Sequence, residues 1–96
     1  AAALADRTGM YSCPHTGVAL AVLIKLIEQQ KISKTEKVVV ISTAHGLKFS
    51  EFKVGYHEKT LKEVESRYAN RPIEMDPDAG KIREVLEKEF ALRSKL

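Results

Sequence analysis

The sequence predicts an α/β fold, and three observations predict it. The first is a run of four β-branched apolar residues, Val38, Val39, Val40 and Ile41, ending on the polar turn Ser42-Thr43-Ala44-His45-Gly46. A short apolar run bounded by turn signals reads as a strand buried on both faces. The second is the apolar stretch Val18 to Ile27 upstream of it, with polar residues only at Lys25 and from Glu28 onward, which reads as a helix over about 17–30. The third is the charged connector Lys31 to Lys37 between them. Helix, short link and buried strand form half of a βαβ unit in a parallel sheet.

Taken in order, the chain opens with an alanine-rich run and the turn-like cluster Asp6-Arg7-Thr8-Gly9. Met10-Tyr11-Ser12 is expected as a short strand. Cys13-Pro14-His15-Thr16-Gly17 then leads into the helix, with Thr16 as the expected N-cap and Pro14 fixing the approach of the chain. This makes a complete strand-turn-helix-strand-turn unit over about 9–48. Both turns would lie at the carboxyl ends of neighbouring parallel strands, where open α/β sheets bind ligands. Phe49 to His57 reads as loop. The spacing of Leu61, Val64 and Tyr68 predicts a peripheral helix over about 58–68, broken by Asn70-Arg71-Pro72. Asp76 as N-cap and Pro77 in the first turn start a second, over about 77–93, with Ile82, Val85, Leu86 and Phe90 on one face.

The first helix is apolar nearly all round in its first two turns, a pattern found where a helix is buried in a large protein or a membrane. The stretch from Gly17 to Leu26 falls short of the roughly 20 residues a bilayer span needs. A chain of 96 residues holds one small domain and cannot surround both this helix and a two-sided strand. More protein is therefore expected around it, from a longer parent chain or from a partner. The start lacks an initiating Met and shows no signal-peptide pattern, so a soluble chain that begins inside something larger is expected.

Composition narrows the function classes. Hydrophobic residues make up 44% and charged residues 30%, which argues against wholesale disorder. The formal charge of +3 is spread thinly: six Lys/Arg against three Asp/Glu in 1–48, ten against ten in 49–96. Without a basic block or interleaved aromatics, nucleic acid is not an expected partner. The single cysteine, Cys13, allows no internal disulfide and fits a reducing compartment. A metal site from Cys13, His15, His45 and His57 lacks the paired spacing of structural zinc, so no metal is expected. Nucleophilic chemistry by Cys13 and anion contact by Lys48 are weaker readings than a packed thiol and a solvent-facing lysine.

Thr43 and His45 are the candidates on the rim. A hydroxyl at the end of a buried strand is held rigidly and can donate or accept a hydrogen bond. It suits a neutral heterocyclic nitrogen, where a carboxylate would favour a protonated one. The competing reading is a threonine that caps the following turn through its own backbone. His45 reads as a turn or wall residue, with Gly46 permitting the bend beside it.

The motifs CPHTGVAL (Cys13 to Leu20) and VVVISTAHGLKF (Val38 to Phe49), separated by a helix, resemble the C-terminal part of the threonine synthase family, of the fold-type II pyridoxal-phosphate enzymes. The likeness is nearest to the longer, plant-like branch. It implies a three-layer α/β/α domain with a mostly parallel sheet, of which this chain is the C-terminal portion. It further implies a lyase of threonine biosynthesis that converts O-phosphohomoserine to threonine, releasing phosphate and adding water, with pyridoxal phosphate as cofactor. Thr43 maps onto the hydroxyl that meets the cofactor's pyridine nitrogen. Ser42, Ala44, Cys13 and Pro14 map onto the pocket wall. The family's Schiff-base lysine and Gly-rich phosphate loop have no counterpart in these residues, so no catalytic residue is assigned and the chain is expected to be inert alone. The implied partners are the missing N-terminal part of the same enzyme and, for the full enzyme, a second copy. The expected location is the cytoplasm, or the plastid stroma for a plant source. The rival reading is a free-standing small α/β binding or interaction module whose apolar helix a partner covers.

Overall fold

Four α-helices and a 3₁₀ turn make up the regular structure of the chain in a computed structural model that describes residues 1–95. In order these are α1 (Ala2–Asp6), α2 (Pro14–Glu28), a 3₁₀ turn (Gly46–Phe49) that runs directly into α3 (Ser50–Glu58), and α4 (Ala79–Arg93).

The start of α2 is set by Cys13 and Pro14, and not by Thr16 as the sequence suggests. Cys13 has extended backbone angles, and its Sγ accepts the Thr16 N–H at 3.4 Å. Pro14 then fills the first helical position, where its missing N–H costs nothing and its fixed φ already suits the helix. Thr16 lies one turn inside, where its hydroxyl is free for a tertiary contact. At the other end Gln30 takes a left-handed conformation (φ 58°), and the Lys31 N–H reaches back to the Leu26 carbonyl at 2.9 Å. That is the Schellman closure, which stops a helix even where no glycine is present.

The expected parallel sheet is not formed. Residues 38–41 take no regular secondary structure and have no strand partner among the described residues. Val39 is 88% exposed and Ile41 77% exposed. Strand character is a property of a pair, because the backbone donors and acceptors must find a neighbour. Among the described residues the one β-bridge joins Ser12 to His45, and it is antiparallel. Met10-Tyr11-Ser12 therefore meets the second turn itself rather than lying beside 38–41.

The helix expected over 58–68 falls earlier. Phe49 to Glu58 is helical, and Lys59 closes it in a left-handed conformation (φ 62°) with the Thr60 N–H bonded to the Gly55 carbonyl at 2.9 Å. Leu61, Val64 and Tyr68 follow on a turn-rich segment instead. Tyr68 is tied back onto α3 by its N–H, which donates to the Tyr56 hydroxyl at 3.1 Å. In α4 the cap is Asp78, whose carboxylate accepts the Lys81 N–H at 2.8 Å, while Asp76 pairs with the Lys81 ammonium at 3.2 Å. Cap and third helical residue have the spacing a side-chain cap requires, so the helix opens at Ala79, two residues past Pro77.

Burial confirms that little core is closed within these residues. Ala3 and Cys13 are the buried hydrophobic residues, while Val18, Val22, Ile24 and Ile27 of α2 stand 64, 50, 42 and 42% exposed. The radius of gyration is 16.4 Å, against about 12–13 Å for a compact chain of this length. The accessible surface of 8345 Å² exceeds the roughly 5500 Å² that surface scaling gives for its mass. No helix among the described residues is long and apolar enough to cross a membrane.

Candidate functional site

The Tyr11-Ser12 segment meets the second turn through an antiparallel contact, and the first turn joins it through the Thr16 and Ser42 side chains, without the parallel strands expected to bring the turns together. Besides the Ser12–His45 bridge, the Gly46 N–H donates to the Tyr11 carbonyl at 2.8 Å. A Cβ on Gly46 would sit 2.6 Å from the Tyr11 ring, so glycine is required there by the approach of the two turns. His45 caps the 3₁₀ turn, its Nδ1 accepting the Leu47 N–H at 3.1 Å. That is a turn-building role.

A line of polar side chains stitches the turns together. The Cys13 Sγ lies 3.1 Å from the Thr16 hydroxyl, which lies 3.0 Å from the Ser42 hydroxyl, which in turn donates to the Ala44 carbonyl at 3.4 Å. The thiol is wholly occluded from solvent. The Thr16 hydroxyl and backbone N–H, helped by the N–H groups of Ala44 and His15, hold it down to about 7 from its ordinary 9.0, against the opposing effect of burial. Hydrogen bonds to the charged form favour that form.

Thr43 is exposed and lines an open cleft of about 370 Å³ with Ser42, Ala44, Tyr11, Ser12 and His45. The bonds that build its turn are made by Ser42 and His45, not by the Thr43 hydroxyl. Neither a carboxylate nor an ammonium lines this cleft. Of the five residues singled out from sequence, Ser42, Thr43 and Ala44 share it. Cys13 is packed behind it, and Pro14 faces a different cavity between the N-terminus, α2 and α3.

Sequence reasoning missed the pair Asp6–Lys53. The two form an ion pair with side chains 11 and 3% exposed. Tyr11 lies against it, with the Lys53 ammonium 4.5 Å from the ring centroid. Burial and the nearby Asp6 carboxylate push the Tyr11 phenol above its ordinary 10.0. A signal was present: Phe49, Lys53 and Tyr56 fall at i, i+4, i+7, which places a lysine on the aromatic face of a helix. It becomes readable once 50–58 is recognised as helical.

Over 88 residues, or 92% of its length, the chain is 49% identical to the chloroplastic threonine synthase 2 of Arabidopsis thaliana. By sequence it is a piece of a threonine synthase. The match covers 17% of that relative, so the chain spans about a sixth of a threonine synthase of that length. No protein-family profile matches the chain. The similarity takes in both turns of the threonine synthase piece and most of its helices, since 88 of 96 residues align.

Proposed function

We propose that this chain furnishes the pyridine-nitrogen wall of the pyridoxal-phosphate site in a threonine synthase that converts O-phosphohomoserine and water to threonine and phosphate. The observation that carries this is the 49% identity to a threonine synthase across nearly the whole chain. The cleft beside Thr43 fits the proposal, because a neutral ring nitrogen calls for a hydroxyl with no competing charge, and the lining offers that. Thr43 would hold the ring by a single hydrogen bond, with Ser42 and Ala44 as the adjoining wall. Cys13 and Pro14 act from behind by setting the start of α2. When bound, pyridoxal phosphate supplies the electron sink for the substrate's bond changes, and the protein's part is to orient and tune it.

The rest of the enzyme is the partner this reading requires. The exposed apolar run 38–41 and the exposed face of α2 are the surfaces it would cover, completing the parallel sheet on one side and the helix layer on the other. A homodimer of the full enzyme and, in a plant, the plastid stroma belong to the same reading. The chain alone is inert under this proposal, since neither a lysine nor an anion-binding group faces the cleft. A free-standing module is not favoured, because so open an arrangement leaves large apolar side chains in water. The test is to mix the purified chain with pyridoxal phosphate and O-phosphohomoserine. No threonine above a blank is expected; threonine formation would overturn the inertness. Recovery of the upstream coding sequence checks the assignment itself, which requires a cofactor-binding lysine in the same reading frame.

A further inference from the structure

Directly behind the first turn lies a cluster of charge that the site as described does not use. Asp6 ends α1, Lys53 lies in the middle of α3, and both side chains are largely withdrawn from solvent. The two carboxylate oxygens act on different parts of the molecule. Oδ2 accepts from the Lys53 ammonium, with His57 Nε2 3.7 Å away. The other ring nitrogen, His57 Nδ1, accepts the Asn70 N–H at 3.0 Å. Oδ1 accepts the backbone N–H of Ser12 at 3.1 Å. Ser12 is the residue that bridges to His45, and its neighbour Tyr11 receives the Gly46 N–H. The Tyr11 ring is thus placed against Lys53 as well as against Gly46.

A buried ion pair contributes little net stability by itself, since desolvation offsets much of the attraction. What such a pair can fix is geometry, and here the geometry leads to one segment. We propose that the Asp6–Lys53 pair is the positioning device for the second turn. The pair clamps Tyr11-Ser12, and Tyr11-Ser12 sets the His45-Gly46 backbone beside which Thr43 stands. Its bearing on cofactor binding rests on the reading of Thr43 as the ring-nitrogen partner. The coupling between the pair and the turn does not.

Amide hydrogen exchange on the complete enzyme that contains these residues tests the coupling. Asp6→Ala and Lys53→Met should each speed exchange of the Gly46 amide by about tenfold or more relative to amides in the interior of α2, because local opening is released separately from global unfolding. Lys53→Arg keeps the charge and should keep the protection. Should a single variant unfold because it leaves a buried charge unpaired, the double variant D6A/K53M removes both charges, and in it Gly46 should still exchange faster relative to α2. Equal acceleration at Gly46 and in α2, or retained Gly46 protection in the double variant, overturns the proposal. A separate titration of the complete apoenzyme with pyridoxal phosphate, unchanged by Thr43→Val, would overturn the cofactor reading and leave this coupling standing.

Discussion

The hydroxyl oxygens of Thr16 and Ser42 stand 3.0 Å apart across 26 residues of chain, joining the first turn of α2 to the turn that carries Thr43. Thr16 is 5% exposed, so its hydroxyl has no water to fall back on. Thr16→Val removes the partner of both Ser42 and Cys13 while keeping the shape. It should lower stability by about 1–2 kcal/mol, the range for a buried hydrogen-bonding group deprived of its partner. Urea unfolding of the two proteins measures this, and a midpoint unchanged within error would contradict it.

The thiol of Cys13 sets a pH dependence of definite sign. Its folded value of about 7 lies below the ordinary 9.0, so the folded state binds fewer protons than the unfolded state between those values. Stability should therefore rise from about pH 7 to about pH 9, stay fully present above that, and be lost as pH falls through about 7. Urea midpoints across this window should show the slope, and Cys13→Ser should flatten it. Because the thiol is wholly occluded, alkylation in native buffer should still be slow and should accelerate in urea.

Two glycines separate steric need from backbone need. Neither Gly17 nor Gly46 has a positive φ, so alanine is opposed there by neighbours alone. At Gly46 a Cβ meets the Tyr11 ring at 2.6 and 2.8 Å and the Ser12 carbonyl at 3.0 Å. At Gly17 it meets Ala2 Cβ at 2.7 Å, on the five-residue helix α1, which buries only Ala3 and so can give way. Gly46→Ala should cost about 1–3 kcal/mol and Gly17→Ala less. Thermal unfolding should rank them in that order.

Thr43→Val is the cleanest separation of fold from function. The residue is exposed and takes no part in the bonds of its own turn, so stability should change by no more than about 0.5 kcal/mol. In the complete enzyme the same change should weaken pyridoxal-phosphate binding by about tenfold, the worth of one net hydrogen bond. Calorimetric unfolding of the chain and absorbance titration of the enzyme are the two measurements. A large loss of stability with unchanged cofactor affinity would reverse the assignment.

Local signals were legible where a residue acts on its own neighbours in the chain. The Pro14 entry to α2, the amphipathic α4 and the polar turn after Ile41 all follow from side chains a few residues apart. Reading erred where two local signals competed. Thr16 was the expected cap, but Pro14 occupies the first helical position and so places the cap at Cys13. The Leu61, Val64 and Tyr68 spacing suited a helix, but the left-handed Lys59 ended α3 before it could begin.

The sequence by itself determined the family and the helices α2 and α4, because motif spacing and periodicity are short-range properties of the chain. Tertiary structure alone decided the antiparallel meeting of Ser12 with His45, the seclusion of Cys13 behind the cleft, and the Asp6–Lys53 pair 47 residues apart. Each depends on which distant backbone or charge arrives alongside, and a linear pattern carries no record of that. Residues 38–41 make the same point: four β-branched side chains prescribe an extended backbone, but a strand is completed only by the neighbour that pairs with it.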